Sequence, residues 1–189
     1  MLFRSRRMQT GSLLMDISSV KLGIADRIAD GVGSGIEYVS LHPLFGPDVD
    51  RVQGQEFVAI PYREGARWRR FSRALRNAGA RVHLSTAESH DRAMAYVQGL
   101  HHFALVSLGL SLKGWDGSYA TSSLRGTLER IRALLENWET IAGIQQLNPF
   151  VEPARKEFAK VVSQRSEGGF HGETIHELRS NVQKWSRKQ

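Results

Sequence analysis

A histidine held between prolines is the first feature of this 189-residue chain that could do chemistry. His42 opens the segment His42-Pro43-Leu44-Phe45-Gly46-Pro47-Asp48. Two prolines and a glycine fix the backbone around one imidazole, whose ordinary pKa suits it to take a proton from a hydroxyl. A lone histidine more often has a structural role, but the rigid loop and a position just past a predicted strand favour function. Asp16-Ile17-Ser18-Ser19-Val20-Lys21 also lies at the carboxyl end of a predicted strand, where open α/β sheets bind ligands. Ser18 or Ser19 could equally cap the next helix. His90, Gln98, His101 and His102 fall on one predicted helix. At about 100° per residue, His101 lies about 20° from His90, Gln98 about 80° and His102 about 120°. A polar sector on an apolar helix needs partners. No histidine pair there has the i, i+4 spacing that a helical zinc site favours, so substrate contact or buried hydrogen bonding is expected and a metal is not. Arg125, in Ser-Ser-Leu-Arg-Gly-Thr-Leu-Glu, borders an apolar stripe. It could hold a carboxylate through two parallel hydrogen bonds or merely pair with Glu129. Glu88 and Asp91 suit the positive end of a helix, which is a structural role.

The elements that must position these residues come in two styles. Up to Ser85 short strands alternate with short helices: strands at 12–17, 37–41, 55–60 (ended by Pro61) and 81–85, and helices at 21–29 and 67–77. The second helix turns Trp68, Phe71 and Leu75 inward. Such alternation implies a sheet covered by helices. From Thr86 the 3.6-residue period takes over, with helices expected at about 87–112, 120–137, 138–147, 151–166 and 171–186. Leu124, Leu128, Ile131 and Leu135 form a stripe on the second of these. The boundary therefore falls near Ser85. The glycine cluster Gly31-Val32-Gly33-Ser34-Gly35-Ile36 has Ile36 where a dinucleotide fingerprint needs glycine. It follows a helix instead of opening one, so it reads as helix termination.

Composition bounds the rest. Hydrophobic residues make up 41% and charged residues 24%, with a net charge of +7; these are ordinary values for a folded globular protein and exclude collagen-like or disordered chains. The chain has no cysteine, which excludes disulfides, thiolate zinc sites and a cysteine nucleophile, and fits a reducing cytosol. Arg4, Arg6 and Arg7 are followed by too short an apolar run for a secretory signal. Ala93 to Leu112 carries no charged side chain, but Gln98, His101 and His102 in its middle would be costly in lipid. It reads as a helix buried within the protein or between two copies. Residues 1–85 carry net +5 and residues 86–189 net +2. The cluster Arg63, Arg67, Arg69, Arg70, Arg73 and Arg76 lacks aromatic interleaving. It reads as the solvated face of one helix, with nucleic-acid binding a distant alternative.

Taken in order, Asp-Ile-Ser-Ser-Val-Lys (16–21), His-Pro-Leu-Phe-Gly-Pro-Asp (42–48), Ala-Glu-Ser-His-Asp-Arg-Ala-Met-Ala-Tyr-Val-Gln-Gly-Leu-His-His-Phe (87–103) and Ser-Ser-Leu-Arg-Gly-Thr-Leu-Glu (122–129) resemble prephenate dehydrogenase from about Gly11 to Pro149. The resemblance implies oxidative decarboxylation of prephenate to 4-hydroxyphenylpyruvate with NAD or NADP, on the route to tyrosine. It assigns His42 the hydrogen bond from the ring hydroxyl and places Ser19 near that hydroxyl and the nicotinamide, with Ser18 beside it. It assigns Arg125 a substrate carboxylate, and Gln98, His102 and His90 the lining of the substrate cleft.

The expected fold is α/β plus all-α: a partial Rossmann-like sheet with helices, then a helical dimerisation domain. Residues 1–85 would be the C-terminal remnant of a nicotinamide-dinucleotide-binding domain and 86–189 a helical substrate-binding and dimerisation domain. The family's GxGxxG turn and first βαβ units would need on the order of 80–100 residues ahead of this strand, where ten residues precede Gly11. The expectation is therefore a catalytic half with a truncated cofactor half, as a fragment or as one half of a split enzyme. The expected partners are prephenate and a second copy, in the cytoplasm, with no membrane and no nucleic acid. The alternative is a non-catalytic dimeric helical module that binds prephenate or a related dicarboxylate.

Overall fold

The computed structural model describes residues 8–46, 49–170 and 172–186. Arg4, Arg6 and Arg7, and Pro47 and Asp48 of the histidine loop, lie outside them. The sheet region runs β1 (Leu13–Asp16), α1 (Ile24–Gly31), β2 (Glu37–Pro43), β3 (Glu56–Arg63), α2 (Ala66–Asn77) and β4 (Arg81–Leu84). Helices follow: α3 (Ala87–Met94), a π-helical segment (Ala95–Leu100), α4 (His101–Ser111), a short 3₁₀ turn (Leu112–Gly114), α5 (Ser122–Glu136), α6 (Trp138–Leu147), α7 (Val151–Gly168) and α8 (Gly172–Ser186).

The strands lie side by side in chain order. β1 and β2 are parallel across α1, and β3 and β4 are parallel across α2. No helix intervenes between β2 and β3, so this pair is antiparallel and the sheet is mixed. Period two divides β2 between two faces. Val39 and Leu41 join Phe57, Ala59, Trp68 and Ala80 in an apolar core under α2. Tyr38, Ser40 and His42, all buried, take the opposite face. Asp16 pairs in register with Ser40, which brings a carboxylate to the same polar face.

Pro61 does not end its strand. β3 continues to Arg63, with Pro61 opposite Val39 beside a register shift between Tyr38 and Val39; at such an irregularity a missing N–H is tolerated. The helix α2 buries Trp68 and exposes Arg67, Arg69, Arg70, Arg73 and Arg76, as its pattern predicts. Its N-terminus has no capping side chain of its own. The Glu37 carboxylate accepts from the backbone N–H groups of Arg67 (3.0 Å) and Trp68 (2.7 Å) instead. The glycine cluster follows α1 and leads into β2.

The helix expected over 87–112 is interrupted by the π segment, whose wider i→i+5 turns change which residues share a face. There Gly99 packs directly on Val151, whose side chain would collide with a methyl at Gly99. A second core joins Val20, Ala95, Ile144 and Val151. On α5 it is Leu134 that is buried, while Leu135, expected on the inward stripe, is 71% exposed. α4 has no fully buried residue, so the uncharged stretch is not enclosed within one chain. No helix among the described residues is long and apolar enough to cross a membrane.

Candidate active site

The carboxyl end of β2 delivers His42 to a cavity of about 670 Å³. Pro43 to Gly46 continue the wall. Ser19 enters from the turn after β1, Gln98 from the π segment, His102 from α4, and Asn137 and Thr140 from the α5–α6 junction, with Leu134, Ile141 and Ile144 as apolar floor. Such a mixture of apolar lining and a few convergent polar groups is typical of a small-molecule site. A concavity of about 550 Å³ between β1 and α2 holds Arg67 and Arg70 but no imidazole or carboxylate, so of these two the site able to move a proton is the one at His42.

Four residues singled out in the sequence therefore share one cavity: Ser19, His42, Gln98 and His102. Gln98 Oε1 and His102 Nδ1 are buried with no protein partner; two unsatisfied polar atoms in one lining are unusual and suit a polar ligand. Ser18 is beside the cavity, with its N–H and hydroxyl donating to Asp16 Oδ1 at 3.0 and 2.5 Å. His90 is placed differently from its expected role. Its side chain is fully enclosed, does not line the cavity, and meets the His42 ring instead. His101 is exposed, so the expected common sector of His90 and His101 is not found; the π segment between them invalidates regular helix arithmetic. Arg125 is exposed on α5 and its Nε donates to Ala120 O at 3.2 Å. It is eight residues, or about 12 Å of helix, from Ala133 in the wall, and one chain does not bring it to the cavity.

Behind His42 lies a buried polar network. Nδ1 of His42 and Nε2 of His90 are 2.8 Å apart, and His90 Nδ1 is 2.7 Å from Asp91 Oδ1. Asp91 accepts from the backbone N–H of Lys21 (3.0 Å) and of Leu22 (2.9 Å). The Lys21 ammonium is wholly buried, donating to Leu41 O at 3.0 Å and lying 3.5 Å from Asp16 Oδ1. Tyr38 donates to Asp16 Oδ2 at 2.7 Å. Burial, reinforced by the adjacent His90 and Lys21, pushes His42 down to about 3, so the free imidazole stays neutral through the physiological range. Burial also lowers His102, aided by His101. Burial alone would raise the Asp16 carboxyl, but hydrogen bonds from Ser18 and Tyr38 and the Lys21 charge outweigh it and hold Asp16 low.

Asp91, expected only to complement a helix end, is thus central to the network. Tyr38 could have been found, because the alternation Tyr38-Val39-Ser40-Leu41-His42 puts it on the face of His42. The spacing Asn137, Thr140, Ile141, Ile144 likewise marks one helix face. Nothing local marks Lys21 as buried.

No protein-family model matches the chain. It is 30% identical over 177 residues to the protein named "Probable arogenate/prephenate dehydrogenase" of Methanocaldococcus jannaschii, covering 85% of this chain and 40% of that protein. It is 33% identical over 105 residues to the 4-amino-4-deoxyprephenate dehydrogenase of Streptomyces pristinaespiralis, covering 56% and 35%. In sequence, the chain is thus similar to proteins named as prephenate or arogenate dehydrogenases. It spans less than half the length of these curated relatives. Solved structures give the same fold at lower identity. Synechocystis arogenate dehydrogenase superposes with a TM-score of 0.71 at 18% identity, over 98% of this chain and 72% of that one. Prephenate dehydrogenase from Aquifex aeolicus superposes with 0.65 at 18%, over 97% and 70%; the same enzyme has been solved with hydroxyphenyl propionate and NAD+. The sheet followed by helices, expected from the chain's two styles of periodicity, is the fold shared with these solved structures.

Proposed function

We propose that this chain carries the substrate-binding and proton-accepting part of a prephenate dehydrogenase, acting on prephenate or a close relative. The observation that supports this most is a neutral His42 sharing one cavity with Ser19, Gln98 and His102. In the oxidation, carbon 4 loses hydride, its hydroxyl loses a proton, and the ring carboxylate leaves as carbon dioxide, restoring aromaticity. His42 takes the hydroxyl proton. The low basicity of His42 is sufficient, because an alcohol losing hydride becomes a far stronger acid, and it keeps the imidazole unprotonated and ready. Ser19 lies beside the same hydroxyl, and Gln98 and His102 offer unsatisfied atoms to the rest of the substrate. A bound NAD or NADP supplies the hydride acceptor. Ser19 and Ser18 would border its nicotinamide ring, while among the described residues no strand-to-helix turn carries the GxGxxG pattern that holds a pyrophosphate.

On this reading residues 1–85 are the later part of a dinucleotide-binding domain, and 86–189 bind substrate and join two copies. Arg125 would then hold a substrate carboxylate where two copies meet, since it stands outside its own chain's cavity. The lack of cysteine fits cytoplasmic action. The test is purified protein with prephenate and excess NAD or NADP, followed at the absorbance of the reduced cofactor. Turnover that falls at least ~100-fold in His42→Asn supports the assignment. If the wild type neither turns over nor binds prephenate by calorimetry, the reading is wrong.

A further inference from the structure

The wall behind His42 consists of two further titratable groups in a line, and the order of their hydrogen bonds sets the state of the first. Asp91 is wholly enclosed. Oδ1 accepts from Lys21 N–H at 3.0 Å and Oδ2 from Leu22 N–H at 2.9 Å. Its backbone carbonyl is held by Asn148 Nδ2 at 2.8 Å. The carboxylate is an acceptor toward every partner it has. His90 Nδ1, 2.7 Å away, must therefore be the nitrogen that carries hydrogen. In a neutral ring that leaves His90 Nε2 as an acceptor. His42 Nδ1, 2.8 Å from it, must then donate. The remaining nitrogen of His42, Nε2, is left without hydrogen and able to accept.

We propose that Asp91 is a positioning residue that acts through His90 to hold His42 in the tautomer with a bare Nε2. This inference deepens the proposed function and rests on it for its catalytic consequence, but the tautomer itself can be read without substrate. The line also stabilises what the reaction creates. When Nε2 takes a proton, the charge on His42 is shared along a chain of hydrogen bonds ending in a carboxylate. A tautomer reversed along this line would put hydrogen on His42 Nε2 and abolish its capacity as a base.

The experiment is ¹⁵N-histidine labelling of the full chain and long-range ¹H–¹⁵N correlation of the imidazoles at neutral pH, with His42 assigned by the signals lost in His42→Asn. The expected wild-type result is hydrogen on Nδ1 and none on Nε2 for both His42 and His90. Asp91→Asn places an amide donor against His90 Nδ1, so both rings should switch to the Nε2–H tautomer, with kcat falling at least ~100-fold and KM little changed. A wild-type His42 bearing hydrogen on Nε2, or tautomers unchanged in Asp91→Asn, would overturn the proposal. Should Asp91→Asn fail to fold, the wild-type spectrum still decides. Correct tautomers with no activity on prephenate would leave the relay standing and remove the proposed substrate instead.

Discussion

A histidine that burial holds neutral makes folding sensitive to acid in a defined direction. The unfolded His42 protonates near pH 6.5, but the folded one only near 3. Between these values the unfolded chain binds the proton and the folded chain does not. Stability from this residue is therefore full above about pH 6.5 and declines as pH falls, by at most about 1.4 kcal/mol per unit. Urea unfolding at pH 7.5, 6 and 5 should show this decline in the wild type and a shallower one in His42→Asn; equal slopes would refute it. His102, lowered by burial as well, adds the same sign in both proteins, so the comparison isolates His42. The residue types themselves were readable in the sequence: His42, Ser19, Gln98 and His102 were all marked by their motifs. What could not be read was depth. His90 and His102 look alike in the sequence, yet one is sealed behind the site and the other forms its wall, because burial is decided by contacts between β2, α3 and α6 that no local pattern records.

The π segment decides which side chains α3 and α4 present. Its six residues carry Gln98 to the cavity while Gly99 lies against Val151, with Gln145 Nε2 donating to Gly99 O at 2.7 Å. Gly99→Ala should lower stability by about 1–3 kcal/mol through overpacking, measured by urea unfolding, and should weaken substrate binding by moving Gln98 and His102. An unchanged midpoint would show that α7 yields without strain. Elements were legible wherever period matched environment. The alternating strands and the long amphipathic helices fall within a few residues of their expected bounds. Failures came where tertiary context outweighed local rules. Pro61 sits inside β3 beside a register shift, where a missing N–H is tolerated, and the expected single helix at 87–112 changes its winding where Gly99 packs closely on Val151.

Apolar surface left uncovered in one chain calls for a second. Leu110 and Leu135 are each 71% exposed and Trp138 47%, and all three rim one apolar groove between α4 and α5. Monomers rarely leave such surface bare. Sedimentation should show a homodimer at micromolar concentration, and Leu110→Glu with Leu135→Glu should shift it to monomer; a monomeric wild type would remove the dimer from the proposed function. The uncharged stretch at 93–112 led to the same expectation of a second copy, but not to which flank would face outward, since Leu134 and Leu135 are adjacent in sequence yet about 100° apart around the helix. The relay has a consequence for anyone wishing to recombine such proteins. Asp91 belongs to the helices, yet it is tied to the backbone of Lys21, whose ammonium reaches back to β1 and β2. The seam between the two halves is thus also the place where the imidazole is set, and a helical module grafted onto a foreign sheet would arrive with its histidine line unmoored unless the turn from Asp16 to Leu22 travelled with it.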